Sequence, residues 1–251
     1  MTKTVIIVQA RLDSTRLPGK VLRPVLGRPL LAYQVERLKR VTLADDVVIA
    51  TTTNSSDNPI VRLCESQRIS VFRGSEKNVL ERHYAAAKAF GADVVVRVSG
   101  DCPLMDPLVV DRVIRYFLDH RDRFDFVSNC PGYDEPSTYP RGMDVEVFSF
   151  RCLEEAHREA REPLDREHVT RFIRRHGHRF GLDHLSYHRD EGRLRLTVDT
   201  EEDFELVRKV LEDLYPKEPA FSLESILSLM QVHPDWEQIN SHIEQERYGN
   251  H

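Results

Sequence analysis

Short apolar runs alternate with helix-like stretches along the first part of the chain. Three runs, Val5–Val8, Val47–Ala50 and Val94–Val96, are apolar at every position, which is typical of strands that are covered on both faces of a sheet. Between them, residues 30–41 and 78–90 carry apolar side chains at helical spacing. This alternation predicts an α/β fold with a mostly parallel, doubly wound sheet.

Capping residues and alternating patterns mark further elements. Asp106 followed by Pro107 predicts the start of a helix, with the aspartate as N-cap. Residues 194–198 alternate between apolar and polar positions, which indicates a strand that ends at an acidic residue. Thr200 and Asp203 then have the spacing of a capping box at the start of the next helix.

The middle and the end of the chain do not continue the regular alternation of apolar strands and helices. Residues 130–142 contain three prolines and two glycines and predict a loop, whereas residues 144–148 alternate like a half-exposed strand. We therefore predict one α/β domain over residues 1–215. It would carry an insertion at about 130–190 and be followed by a helical appendage over 216–251.

Composition narrows the class of protein. The 251 residues include 36 Lys and Arg against 41 Asp and Glu, a formal net charge of −5. That balance lacks the general basic field of a non-specific nucleic-acid-binding protein. No apolar run approaches the roughly 18 residues of a membrane span. The four cysteines form no CxxC pair, which argues against a thiolate zinc site and fits a reducing cytoplasm. We expect a cytoplasmic protein with no nucleic-acid or membrane partner.

A basic, turn-rich segment directly follows the first predicted strand. Residues 9–20 read QARLDSTRLPGK and contain Arg11, Arg16 and Lys20. Guanidinium forks and an ammonium charge match phosphate oxygens, and backbone amides of a tight turn add donors. A solvated basic loop is the alternative, but ligands of open α/β sheets bind at the carboxyl ends of strands. The segment therefore predicts a phosphate site that is neither a Walker A loop nor a GxGxxG fingerprint.

Two aspartates are candidates for a divalent cation. Asp101 lies in the segment of residues 99–107, which follows a predicted strand. Asp199 lies just before a predicted helix. Taken singly, the first could be a turn residue and the second a helix cap. Two carboxylates beside a triphosphate would repel each other and the phosphates unless a cation lay between them. Because Mg²⁺ prefers oxygen ligands and substrate phosphates, we predict Mg²⁺ on this pair.

Four segments, taken in their order along the chain, resemble the motifs of a known protein family. Residues 9–20, 73–82, 100–104 and 198–203 together resemble the cytidylyltransferases of the spore coat polysaccharide SpsF type. That group is similar to CMP-Kdo and CMP-acylneuraminate synthetases, and the likeness covers nearly the whole chain. The resemblance implies a GT-A-like α/β nucleotidyltransferase fold and usually a homodimer, with CTP as co-substrate and Mg²⁺ as cofactor.

The resemblance also implies roles for individual residues. The acceptor oxygen would attack the α-phosphorus of CTP, and pyrophosphate would leave. The residues that match the nucleotide-binding positions of the family are Ala10, Arg11, Ser14, Arg16, Lys20, Arg82 and Asp101. Among them we predict that Arg11, Arg16, Lys20 and Asp101 are catalytic. Asp101 and Asp199 match the metal-binding aspartates.

The acceptor side is predicted within the insertion. Our candidates are Arg141, Asp144, Glu167 and His168. Arg141 could meet an anionic sugar acid and His168 could act as a general base; a surface arginine and a helix-surface histidine are the alternatives. The acceptor itself, a sugar or sugar acid for a surface polysaccharide or glycan, is not specified further by the resemblance.

Two other functions compete with CMP transfer. A GT-A glycosyltransferase would use a sugar nucleotide, but it usually carries an Asp-x-Asp motif that residues 101–103 do not supply. A non-catalytic nucleotide-binding protein would not need so many charged residues at strand ends.

Overall fold

The central sheet is mixed but mostly parallel. The computed structural model describes residues 2–130 and 137–243. Its strands are β1 (Thr4–Gln9), β2 (Pro24–Val25), β3 (Arg28–Pro29), β4 (Asp46–Thr52), β5 (Ser70–Gly74), β6 (Val94–Ser99), β7 (Phe126–Ser128), β8 (Glu146–Ser149) and β9 (Leu182–His184). Within the described ranges, seven of them form one sheet in the order β5-β4-β1-β6-β8-β7-β9, and β2 pairs with β3 separately. In the large sheet, β8 runs antiparallel to both of its neighbours.

Helices cover both faces of this sheet. They are α1 (Leu30–Leu38), α2 (Asn58–Ser66), α3 (Val79–Ala89), α4 (Pro107–Asp119), α5 (Phe150–Glu159), α6 (Pro163–Glu167), α7 (Arg171–Arg175), α8 (Glu201–Leu214) and α9 (Leu223–Val232). Alternate residues of a strand point to opposite faces, so Ile6 and Val8 join a core with α1, α4, α8 and α9, whereas Val5 and Ile7 join one with α3, α5 and α7. The predicted α/β fold with a doubly wound sheet is confirmed.

The predicted helix caps are confirmed as well. Asp106 accepts the backbone N–H of Leu108 at 2.8 Å, and Pro107 is the first residue of α4. Thr200 and Asp203 form a reciprocal capping box at the start of α8. Such caps satisfy backbone donors that the first helical turn leaves unpaired.

Two predicted strands differ from the structure. Strand β8 is buried, not half-exposed, because its one charged residue, Glu146, is paired with arginines. Residues 194–198 form no strand of the sheet; their contribution is a single bridge between Arg195 and Arg141. Their alternation reflects three apolar side chains packed into the core beside a loop. The predicted loop 130–142 lies partly outside the described residues.

The C-terminal segment packs onto the same core as α1 and α4. Phe221, Leu223 and Ile226 are buried in that core, and Arg37 of α1 donates to the carbonyl of Phe221 at 2.8 Å. A 3-10 helix at Pro234–Ile239 follows α9. The proposed division into a domain, an insertion and an appendage stays a prediction. Among the described helices, none is both long and apolar enough to span a bilayer.

Candidate active site

Strands β1 and β6 bring two loops side by side. They pair in parallel with Gln9 opposite Ser99, so the basic loop after β1 and the loop after β6 leave the same edge of the sheet. The backbone N–H of Gly100 donates to the carbonyl of Gln9 at 2.8 Å. A Cβ atom at position 100 would lie 2.6 Å from that oxygen, so this close approach requires glycine.

The basic loop is a closed turn that returns the chain to the sheet edge. The carbonyl of Leu12 accepts the N–H groups of both Ser14 and Gly19 at 2.9 Å. Gly19 adopts φ +71°, a left-handed conformation that glycine enters without strain. The N–H of Leu12 in turn donates to the buried carboxylate of Asp57 at 2.7 Å. No motif in the sequence singles out Asp57, which anchors this loop.

Lys20 joins the two predicted acids. Its Nζ lies 2.8 Å from Oδ2 of Asp101 and 2.7 Å from Oδ1 of Asp199, and Arg16 reaches the same oxygen of Asp199 at 3.1 Å. Lys20 itself is only 9 % exposed. The structure therefore brings Arg16, Lys20, Asp101 and Asp199 into one cluster, which we call the loop cluster.

Asp199 reaches this cluster although it does not end a strand. The N–H of Val198 donates to the carbonyl of Asp101 at 2.8 Å, and Oγ1 of Thr197 donates to the same carbonyl at 3.1 Å. These two bonds fix the segment before Asp199 against the loop after β6. Asp203 then accepts the N–H of Asp199 at 3.0 Å. The acids thus meet through loop–loop contacts.

The contacts within the cluster favour the charged forms of Lys20 and Asp101. Burial works against the ammonium of Lys20, but Asp101 and Asp199 outweigh it and raise the pKa of Lys20 above its usual value. Burial likewise works against the Asp101 carboxylate, yet Lys20 dominates and lowers the pKa of Asp101 to about 2.

The two carboxylates offer a donor set for a divalent cation. Their oxygens already face one common positive centre, the Lys20 ammonium. Among residues 2–130 and 137–243, no three His, Cys, Asp or Glu side chains group together as metal ligands. Mg²⁺ is commonly held by one or two carboxylates while substrate phosphates and water complete its shell. The set therefore fits an Mg²⁺ ion whose coordination is shared with a nucleotide.

The remaining predicted nucleotide residues lie around the basic loop. Ala10 is buried, Ser14 accepts the N–H of Leu17 at 3.5 Å, and Arg11 is exposed. Arg82 is buried and donates to the carbonyl of Ser75. Burial, with Arg11 nearby, lowers the pKa of Arg82 to about 10. Arg11 and Arg82 are therefore neighbours of each other, and neither pairs with the acids of the loop cluster among the described contacts.

The predicted acceptor residues divide into two places. Burial raises the pKa of Asp144. The charge of Arg141 partly opposes this rise, and the charge of Asp101 adds to it. Glu167 is exposed at the end of α6, and His168 follows it half-buried. Burial lowers the pKa of His168, with Arg97 among the charges that contribute. The backbone of Arg141 is bonded to Leu194 and Leu196, in the segment that precedes Asp199, whereas His168 lies two residues before Thr170, which belongs to a second cluster.

The second cluster is a set of ion pairs on the sheet, which we call the strand cluster. Glu146 of β8 accepts from Arg97 of β6 at 2.5 Å and from Arg174 of α7 at 2.9 Å. Thr170 also donates to it at 2.8 Å, and Arg97 reaches Oε1 of Gln9. Burial opposes the Glu146 charge, but the two arginines outweigh it and lower its pKa to about 2. Arg97, a charged residue within the apolar strand β6, is a feature of the sequence that could have indicated this cluster.

Comparison with known proteins identifies the family. Spore coat polysaccharide biosynthesis protein SpsF of Bacillus subtilis is 33% identical over 242 residues, which cover 94% of this chain and 97% of that protein. The structure of a cytidylyltransferase from Leptospira borgpetersenii superimposes with a TM-score of 0.90 at 33% identity, covering 98% of this chain and 100% of that one.

A more distant structure shares the fold. CMP:2-keto-3-deoxy-manno-octonic acid synthetase, solved in complex with CTP, superimposes with a TM-score of 0.65 at 19% identity, covering 84% of this chain and 99% of that one.

Residues 5–246 match the family model described as cytidylyltransferase. The chain belongs to this cytidylyltransferase family and is a CTP-dependent nucleotidyltransferase.

Proposed function

We propose that this enzyme transfers CMP from CTP to an oxygen of a sugar or sugar-acid acceptor, releases pyrophosphate, and serves the synthesis of a surface polysaccharide or other glycan. The observation that carries the proposal is the loop cluster, in which Arg16, Lys20, Asp101 and Asp199 meet beside the carboxyl ends of β1 and β6. The relatives named above, a spore coat polysaccharide protein and a sugar-acid synthetase, support the acceptor class.

The reaction needs positioning and charge stabilisation. The acceptor oxygen forms a bond to the α-phosphorus, the bond from that phosphorus to the bridging oxygen breaks, and pyrophosphate carries the electron pair away. Negative charge therefore grows on the leaving group. Lys20 and Arg16 would stabilise it, and Arg11 and Ser14 on the same loop would add further phosphate contacts. Arg82 would approach the nucleotide from α3.

Asp101 and Asp199 would hold Mg²⁺. When bound, the ion supplies positive charge to the phosphate oxygens. The two carboxylates would balance its charge, and Lys20 would then be shared between them and the phosphates. Because Asp101 has its pKa near 2, it stays ionised, as a metal ligand must be, throughout the neutral pH range.

The acceptor would bind on the side of the insertion. Arg141, whose backbone is bonded to the segment before Asp199, and Asp144 would contact the acceptor there. His168 has a lowered pKa, so its ring is neutral at neutral pH, the state that a general base requires. Glu167, exposed beside it, would complete the acceptor contacts.

We also propose a homodimer in the cytoplasm. The dimer rests on the family resemblance, and the cytoplasmic location on the four scattered cysteines, which form no CxxC pair. Light scattering of the purified chain after size-exclusion chromatography would give twice the chain mass; a monomer would contradict the first part.

The test is a nucleotide panel against an acceptor library, read by pyrophosphate release. We expect release with CTP, a sugar acid and Mg²⁺ together, and little with ATP, GTP or UTP. Consumption of a sugar nucleotide without pyrophosphate would indicate a glycosyltransferase. Tight CTP binding without turnover on any acceptor would indicate a non-catalytic nucleotide-binding protein.

A further inference from the structure

A buried carboxylate lies directly behind Asp199. Asp203 has no exposed surface, and its Oδ2 accepts the N–H groups of Asp199 at 3.0 Å and Thr200 at 3.2 Å. These bonds fix the backbone from which the Asp199 side chain extends toward Lys20. Asp203 therefore sets the direction of Asp199 without itself reaching the loop cluster.

Arg195 links the two aspartates. Its Nε lies 3.1 Å from Oδ1 of Asp203, and its terminal nitrogen lies 2.9 Å from Oδ2. The same terminal nitrogen is 3.7 Å from Oδ2 of Asp199. Asp199 is thus held from two sides, by Lys20 and Arg16 at one oxygen and by Arg195 near the other.

The C-terminal segment supplies the last member of this arrangement. Asn240, which follows the 3-10 helix Pro234–Ile239, is 2 % exposed. Its Nδ2 donates to Oδ1 of Asp203 at 2.8 Å and to the carbonyl of Arg195 at 3.0 Å. Both hydrogens of one amide group therefore tie Arg195 and Asp203 together.

We propose that Asn240 is a positioning residue for Asp199, acting through Asp203 and Arg195. This inference rests on the metal role proposed for Asp199. Partners behind a metal ligand orient it, and their loss typically weakens metal affinity or activity by about 10- to 100-fold. A buried polar network that loses one member also leaves the others unsatisfied. Loss of the Asn240 amide would free Arg195 and Asp203 to shift, and Asp199 with them.

The experiment compares Asn240→Leu with Leu229→Ala in the full chain. Leucine resembles asparagine in size but cannot donate. Leu229 is buried on α9 of the same segment, and its apolar side chain has no hydrogen bond to lose. Asn240→Ser, which keeps one donor, is the milder variant should Asn240→Leu fail to fold. Each protein is titrated with Mn²⁺ in the presence of CTP, followed by the paramagnetic resonance signal of free Mn²⁺, and its melting temperature is recorded.

We expect Asn240→Leu to raise the Mn²⁺ half-saturation concentration on the order of tenfold, with Asn240→Ser in between. Leu229→Ala should lower the melting temperature and leave Mn²⁺ binding as in the wild type. Equal Mn²⁺ shifts in the Asn240 and Leu229 variants, or no shift in the Asn240 variants, would overturn the positioning role. Should the wild type bind CTP but no Mn²⁺, the metal role of Asp199 fails and the inference falls with it.

Discussion

The loop cluster and the strand cluster are both partly buried groups of opposite charges, but they are built in opposite ways. In the loop cluster one cation, Lys20, is shared by two carboxylates that come from separate loops. In the strand cluster one carboxylate, Glu146, is shared by two arginines from β6 and α7. Side chains on loops can exchange partners when a ligand arrives, whereas side chains on strands are fixed by the sheet. The comparison therefore supports the catalytic role proposed for the first cluster and indicates a stabilising role for the second.

The largest effect should come from removing the centre of the loop cluster. Lys20→Ala deletes a cation proposed to face the leaving pyrophosphate, and loss of one such preorganised contact costs about 3 kcal/mol of barrier. We expect CTP turnover to fall at least about a hundredfold with the far-ultraviolet circular dichroism unchanged. Asp101→Asn should behave in the same way.

The matched control is Lys39→Ala, which removes an exposed lysine at the end of α1. It should keep its pyrophosphate release. Near-normal pyrophosphate release by Lys20→Ala would show that this lysine takes no part in the reaction. The contrast between a catalytic loop cluster and a stabilising strand cluster would then be lost.

The centre of the strand cluster should matter for stability instead. Glu146→Gln keeps the shape of the side chain but leaves two arginines without their carboxylate, and breaking a buried pair in this way costs about 3 kcal/mol or more. We expect the free energy of unfolding in urea to drop by that amount. Glu201→Gln, which breaks an exposed pair with Arg23, should change it by less than about 1 kcal/mol. Equal effects of the two variants would contradict the buried character of the strand cluster.

The stabilising effect of Glu146 should depend on pH. Its folded pKa is about 2, below the ordinary value of 4.5. A lowered folded pKa means that the contribution is complete above about pH 4.5 and is lost as the pH falls through the folded value near 2. The stability difference between the wild type and Glu146→Gln should therefore be constant from pH 5 to 7 and shrink toward pH 3. Urea unfolding across this range would measure it, and a difference that grows in acid would refute the assignment.

The sequence allowed the prediction of those members of the loop cluster that follow strands or form recognisable motifs. Lys20 and Asp101 were found because their loops directly follow β1 and β6, whose ends adjoin in a parallel sheet. The position of Asp199 was predicted for a reason that was partly wrong, since residues 194–198 form no strand of the sheet. Its loop is instead held by backbone bonds to the loop of Asp101.

Residues that act through backbone groups far away in the sequence could not be predicted. Asp57 accepts the N–H of Leu12, and Asn240 donates to the carbonyl of Arg195; each of these contacts spans 45 residues of the sequence. Such contacts follow no helical or strand periodicity, and their residue types are common in turns. Only the folded chain shows that these side chains are buried and turned toward the site.

Asp57 offers the smallest and most selective change. Its Oδ1 accepts the N–H of Leu12 in the basic loop, while Oδ2 accepts the hydroxyl of Thr52. Asp57→Asn keeps the size of the side chain but weakens a charge-assisted bond, at a cost of about 1 kcal/mol. Because the anchor lies outside the loop cluster, the loop should loosen without loss of Lys20 or the acids. We expect the KM for CTP to rise about fivefold with kcat nearly unchanged, in contrast to the loss of kcat in Lys20→Ala.

Asp45→Asn is a fitting control, because Asp45 accepts the N–H of Thr4 at the opposite end of β1 and should leave KM unaltered. A fall in kcat with constant KM in Asp57→Asn would mean that Asp57 acts on the chemical step, and the distinction between anchoring the loop and performing its chemistry would no longer hold.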